Sequence, residues 1–234
     1  MTSSVMTSGL TRPNAARDAI KNLQEADPDG LSKALAFCLM FDDPRTQFVC
    51  ATMLELLIQL ETALRLPTES LLAAIRVQWW VDTVLTPVDP TIAPPAPLIG
   101  QMHRLIKDTP QLEDAVPHLM AFWQTACHDS ERDSRAGWGA SFEILARVTG
   151  QANAADIAAT VATSLYHASH NLPPLVVPLS DIRALQQSGK KSGHSWLYLS
   201  AMLARYLNQT DRNAAHPWLV WRVMRWRFFG PPNG

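Results

Sequence analysis

The run Ala73-Ala74-Ile75-Arg76-Val77-Gln78-Trp79-Trp80-Val81-Asp82 constrains the fold of this chain more than any other stretch. Adjacent tryptophans on a helix point to different faces, and each presents a large surface that needs cover. At helical spacing Leu72, Ile75 and Trp79 share one face, while Arg76, Trp80 and Thr83 share another. A helix apolar on two faces is expected in the interior of an all-helical domain, with Trp79 and Trp80 in the core.

The flanking chain carries the same period. A helix is expected from Leu31 to Phe41, with Asp29 or Gly30 near its N-cap. Asp43-Pro44 then supplies a cap and a proline at the first helical position, which starts a long helix to Leu66. Pro67 ends it, and Thr68 is positioned to cap the double-tryptophan helix. Five prolines between 87 and 97 make an extended connector. Helical patterns resume over Leu98–Lys107 and Leu112–His128, the latter kinked or begun at Pro117. The polar run 129–135 reads as a solvated loop. Trp138–Val148 is helical and stops at Gly150. Asn153 with Asp156 resembles a capping arrangement for a helix ending near His170. Pro173, Pro174 and Pro178 impose an extended piece; Ser180 caps a brief helix to Gln187, and 188–193 reads as a loop. His194–Leu207 and His216–Phe229 complete the helices. No stretch alternates as a strand would, and no period of 20–50 residues recurs. The expectation is an all-α, single-domain chain: a flexible tail over 1–17, a helical domain over 18–215, and an aromatic-basic helix and tail over 216–234.

Composition narrows the function classes. Hydrophobic residues make up 47% of the 234 and charged residues 18%, the balance of a globular chain. A net charge of −1 gives no electrostatic reason to expect nucleic acid as a partner. Cys38, Cys50 and Cys127 lack metal-binding spacing, and their odd number argues for a reducing compartment. No uninterrupted apolar run approaches the roughly 20 residues that span a bilayer. The first residues lack the apolar segment of a secretory signal.

Ile75-Arg76-Val77-Gln78-Trp79-Trp80-Val81-Asp82 closely resembles the Ile-Arg-x-x-Trp-Trp-x-acid signature of the squalene/phytoene synthases. Phe41 to Leu64 is similar to that family's long helix, with Arg45 where these proteins often carry arginine. The helix Trp138 to Ala146 and the segment Val176-Val177-Pro178-Leu179-Ser180-Asp181-Ile182 resemble two further family blocks, in consistent order across residues 18–207. The resemblance implies an isoprenoid synthase-like helical bundle around a central apolar cavity. In active members two Asp-rich motifs face each other across that cavity and hold magnesium ions, which neutralise the diphosphate of a prenyl substrate.

Both motifs are altered here. Ungapped counting from Ile75 places the first on Glu61-Thr62-Ala63-Leu64-Arg65, where Arg65 replaces the second carboxylate. A plain i,i+4 ion pair is the expected role of Glu61 and Arg65. The second motif falls within Leu165–Pro173, which contains no carboxylate; Asn171 lies where an aspartate would. These losses resemble a non-catalytic branch of the family that includes a mitochondrial complex I assembly factor. The resemblance then implies a non-catalytic assembly or scaffolding factor for a membrane respiratory complex. It implies no catalytic residue, no metal ligand and no cofactor, respiratory-complex subunits as protein partners, and peripheral contact with a membrane. The location implied is cytoplasmic and peripheral to the inner membrane, or the mitochondrial matrix in a eukaryote. Two other readings stand beside it: a module binding a prenyl lipid or quinone, and a prenyltransferase with a divergent site, for which magnesium would be required.

The residues expected to line a cavity are Glu55, Gln59, Glu61, Thr62, Arg76 and Asn171. Glu55, Gln59 and Thr62 form a polar stripe that could equally pack against a neighbour. Arg76 could reach solvent, pair with an acid such as Glu55, or line the cavity. His167 and His170, three apart on a helix, make at most half a metal site. Ser188-Gly189-Lys190-Lys191-Ser192 lacks the first glycine of a phosphate loop and has no preceding strand. Trp218, Trp221, Arg222, Arg225, Trp226, Arg227, Phe228 and Phe229 form an acid-free terminal run. Either it packs its apolar residues on the core with arginines outward, or it docks on a membrane or a partner.

Overall fold

A computed structural model describes residues 13–27, 30–86, 93–129, 131–209 and 218–230. Among these residues it contains eleven α-helices and no strand. The tail over 1–12, most of the proline connector, the start of the last helix at His216-Pro217 and the terminal residues 231–234 lie outside the described residues.

α3 (Pro44–Arg65) is the axis of the bundle. Asp43 starts it: Oδ1 accepts the backbone N–H groups of Arg45 at 2.9 Å and Thr46 at 3.2 Å, and Oδ2 accepts the Thr46 hydroxyl at 2.7 Å. Its 22 residues span about 33 Å. By length and composition α3 could cross a bilayer, but 83% of its apolar window is buried by other helices, as in the core helix of a globular bundle. One continuous apolar core runs from Ala16 to Trp226 and includes Trp123, Trp138, Trp196 and Phe142.

α1 (Pro13–Glu25) packs along α3, with α2 (Leu31–Leu39), α4 (Ser70–Leu85) and α5 (Pro97–Asp108) also against it, and α6 (Gln111–His128) mainly against α4. α7 (Arg135–Val148) and α8 (Ala155–Ser169) form an antiparallel hairpin, followed by α9 (Leu179–Ser192), α10 (Trp196–Gln209) and α11 (Leu219–Phe229). α1 corrects the tail expected over 1–17: helix begins at Pro13, and Ala16, Ala19 and Leu23 are fully buried. Alanines make a weak apolar stripe, yet they permit close helix approach, and a first-position proline is compatible with a helix start.

Several expected boundaries move for similar reasons. Glu69, not Thr68, occupies the N-cap of α4, with no side-chain cap bond. α6 begins at Gln111 and runs through Pro117. Gly150, at φ 75°, closes α7: its N–H reaches Arg147 O and the Gln151 N–H reaches Ala146 O at 2.7 Å, satisfying the last carbonyls. Asn153 lies in a 3-10 turn, and the N-cap of α8 is Ala154. α9 is capped at Pro178 rather than Ser180 and continues to Ser192, ending on Gly193 at φ 81°. The stretch 188–192, read from sequence as a loop, is therefore helical.

Helix α10 is buried along nearly its whole length. Its N-terminus is met from across the fold by Asp42, whose Oδ1 accepts the Ser195 N–H at 2.6 Å. The two halves of the chain are tied together at this point.

Candidate functional site

Three candidate surfaces emerge, at Glu61, along α4 and on α11. The face of α3 that carries Glu61 meets α7 and α8. Oε1 accepts from the Arg65 guanidinium and lies 2.8 Å from His170 Nε2. Oε2 accepts the Ser134 hydroxyl at 2.6 Å and the Trp138 indole N–H at 3.0 Å. Four partners occupy the about four acceptor positions of a carboxylate. Burial pushes the Glu61 carboxyl upward, but hydrogen bonds from His170, Ser134 and Trp138 and the charge of His170 outweigh it, holding the carboxyl below its ordinary value.

The network extends outward. Arg65 also donates to the Tyr166 hydroxyl and to Arg132 O, and it stands over the Tyr166 ring. Tyr166 stacks on His170 with ring centroids 4.1 Å apart. Arg132, at φ 50°, adopts a conformation uncommon for a side-chain-bearing residue. It donates to the carbonyls of Leu64, Pro67 and Thr68, closing the C-terminal end of α3. The run 129–135 thus contributes a helix cap and the buried Ser134, where its polarity indicated only a solvated loop. Sequence spacing found the Glu61–Arg65 pair; Ser134, Trp138 and Tyr166 come from 73 or more residues away.

Asn171, beside His170, is exposed. It sits at φ 52°, one residue past the cap of α8, with the Leu172 N–H bonded to His167 O at 2.9 Å. Asparagine is favoured in the left-handed conformation that such a helix stop requires. His167 Nδ1 lies 2.8 Å from Pro173 O, whereas His170 points to Glu61, so the two imidazoles diverge. Among the described residues, no group of three or more His, Cys, Asp or Glu has a metal-holding arrangement.

The polar stripe of α3 divides. Glu55 turns inward; burial raises its carboxyl to about 7, and Oε2 has no hydrogen-bond partner among the described residues. Gln59 and Thr62 line a small surface groove of about 330 Å³ with Arg76 and Trp80. Arg76 is exposed, and among the described residues it forms no ion pair with Glu55.

The double-tryptophan helix departs most from expectation. Val77, Val81 and Val84 face the core, but Ile75 is 55% and Trp79 42% exposed. Trp80 is only partly buried, its ring edge-to-face with Trp79 at 4.9 Å. Leu71 and Leu72 extend the exposed face. α4 lies at the edge of the bundle, so only one of its two apolar faces is covered. Trp79 and Ile75 border the small groove and also a larger one of about 690 Å³ between α4 and α6. Along the larger groove Gln124 donates to Gln78 at 3.0 Å, and Gln78 donates to Asp82 at 2.7 Å.

No protein-family model, curated protein or solved structure matches this chain.

At the opposite end, α11 buries Leu219, Val223 and Trp226. The Tyr198 hydroxyl donates to Trp226 O at 3.1 Å, and Arg222 stands 4.9 Å over the Tyr206 ring. Trp226, expected among the docking residues, is thus part of the core. Trp218, Trp221, Phe228 and Phe229 are exposed, as are Arg222, Arg225 and Arg227.

Proposed function

We propose that this chain is a non-catalytic relative of the squalene/phytoene synthases, an isoprenoid synthase-like bundle working as an assembly or scaffolding factor for a membrane respiratory complex. One observation carries the non-catalytic reading: Glu61, at the position resembling the first metal motif, is fully engaged by four side chains of its own protein. A metal there would have to break that network, and Arg65 would place a cation beside it.

The exposed α4 ridge supports the scaffold reading. Leu71, Leu72, Ile75 and Trp79 form an apolar strip flanked by two grooves, with Trp79 the kind of anchor that dominates protein interfaces. The choice of a respiratory complex rests on the family resemblance of the double-tryptophan block.

Affinity purification of the full chain from its native membrane fraction is expected to recover respiratory-complex subunits, and a Trp79→Ser variant to lose them while retaining the wild-type melting temperature. Magnesium-dependent turnover of farnesyl or geranylgeranyl diphosphate by the purified protein would overturn the reading.

A further inference from the structure

Helix α11 has two apolar faces and no acidic residue. Leu219, Val223 and Trp226 face the core; at 100° per residue, Trp221 and Met224 point away from it, while Phe228, on the same outer side, folds back to touch Phe41. Trp221 is 66% exposed, Phe228 69% and Phe229 83%. Arg225 flanks this outer stripe, whereas Arg227 lies toward Asp42 and Tyr198, on which its charge acts. The helix is held firmly: Phe228 packs edge-to-face on Phe41 at 6.0 Å, and Trp226 packs on Tyr206 at 5.9 Å. Its C-terminal end reaches α9, where a Cβ on Gly230 would lie 3.1 Å from Gln186 Nε2. Arg183 and Lys190, three residues before and four after Gln186, share that face of α9 and are exposed.

We propose that the outer face of α11 is a membrane-surface anchor, which lies in the headgroup region of a bilayer rich in anionic phospholipid. Trp221, Met224, Phe228 and Phe229 enter the boundary of the acyl region, while Arg225 and the cations of α9 meet lipid phosphates. Tryptophan and arginine on opposite sides of one boundary match the polarity step of that interface. A second copy of the chain is a poor occupant, because a two-fold contact through this face would bring arginines against arginines. The anchor stands independently of the α4 scaffold reading, since none of its residues belongs to the α4 ridge.

The test is cosedimentation of the purified full chain with vesicles of phosphatidylcholine alone and of phosphatidylcholine with phosphatidylserine. Binding to the anionic vesicles only, weakened by salt, is expected. Trp221→Ser with Phe228→Ser should abolish it, and Arg225→Gln should weaken partitioning about fivefold, the equivalent of about 1 kcal/mol for one cation near an anionic surface. These positions are exposed, and an unchanged melting temperature verifies the fold of each variant. Should one fail to fold, Phe229→Ser, at the most exposed of these positions, replaces it with a partial loss expected. Absence of binding to anionic vesicles overturns the proposal, including the case in which α11 captures a protein instead; so does equal binding to neutral vesicles, or binding that survives loss of both aromatics. Failure of the Trp79 capture experiment with vesicle binding intact would remove the scaffold reading alone.

Discussion

At the scale of single residues, two carboxylates in the same bundle titrate in opposite directions because their surroundings differ. Glu61 is buried among four donors, and their effect exceeds its desolvation. Removing its side chain strands Ser134, Trp138, His170 and Arg65 without their common acceptor. Glu61→Ala is expected to cost about 3–5 kcal/mol in urea unfolding, the range for breaking a buried ion pair. Glu61→Gln should cost less, because the carboxamide oxygen still accepts.

Asp42 is pushed up to about 7, chiefly by burial, which outweighs the hydrogen bond from Ser195 N–H. A folded-state value above the unfolded one means that the folded chain holds the proton more tightly. The stability linked to Asp42 is therefore full below about pH 4 and is lost as pH rises to about 7. Asp42→Asn keeps an acceptor for the Ser195 N–H and removes this loss. Unfolding measured from pH 4 to pH 8 should show the variant gaining on wild type up to about pH 7 and holding a constant lead beyond it. A lead that does not grow with pH would contradict the burial of the Asp42 carboxyl.

At the scale of elements, helix approach decides which residues are tolerated. A Cβ on Gly137 of α7 would stand 2.8 Å from Trp123 Cε2, inside any real contact. Trp123 is fully buried in α6 and has no room to swing. Gly137→Ala should therefore cost about 1–3 kcal/mol, the usual range for overpacking, read as a lower denaturation midpoint. The helices themselves were legible from their punctuation: Asp43-Pro44 begins α3, Gly150 follows the end of α7, and the apolar period runs through α5, α6 and α10. Misplaced boundaries share one cause, because Thr68, Asn153 and Ser180 are cap-forming residue types that the packed backbone leaves outside the cap. In the polar run 129–135, polarity does not reveal whether a side chain turns inward, as Ser134 does.

At the scale of the whole molecule, α11 is both the closing piece of the core and the carrier of an outward face. Removing residues 216–234 exposes what Leu219, Val223 and Trp226 now cover, a gross loss on the order of 5 kcal/mol at about 1.5–3 kcal/mol for each side chain. The truncated chain should melt well below the full one in calorimetry. An unchanged melting temperature would mean that α11 does not dock on α10 as described. Membrane anchoring must for this reason be tested by outward point substitutions and not by truncation.

Sequence alone determined the all-helical class, because the 3.6-residue period and the placement of proline and glycine are local properties of the chain. It also determined that Glu61 has Arg65 one turn away, since i,i+4 geometry needs no tertiary information. Only the tertiary structure decided which faces are covered. Periodicity gave the double-tryptophan helix two apolar faces, but the number of helices around α4 depends on contacts between distant segments. α4 lies at the edge, so Trp79 is a surface ridge and not core. The same long-range packing brought Ser134, Trp138, Tyr166 and His170 to Glu61 and turned an i,i+4 pair into a closed network. It also placed Trp226 inward and Trp221 outward on one terminal helix, a division fixed by where α10 and α2 lie.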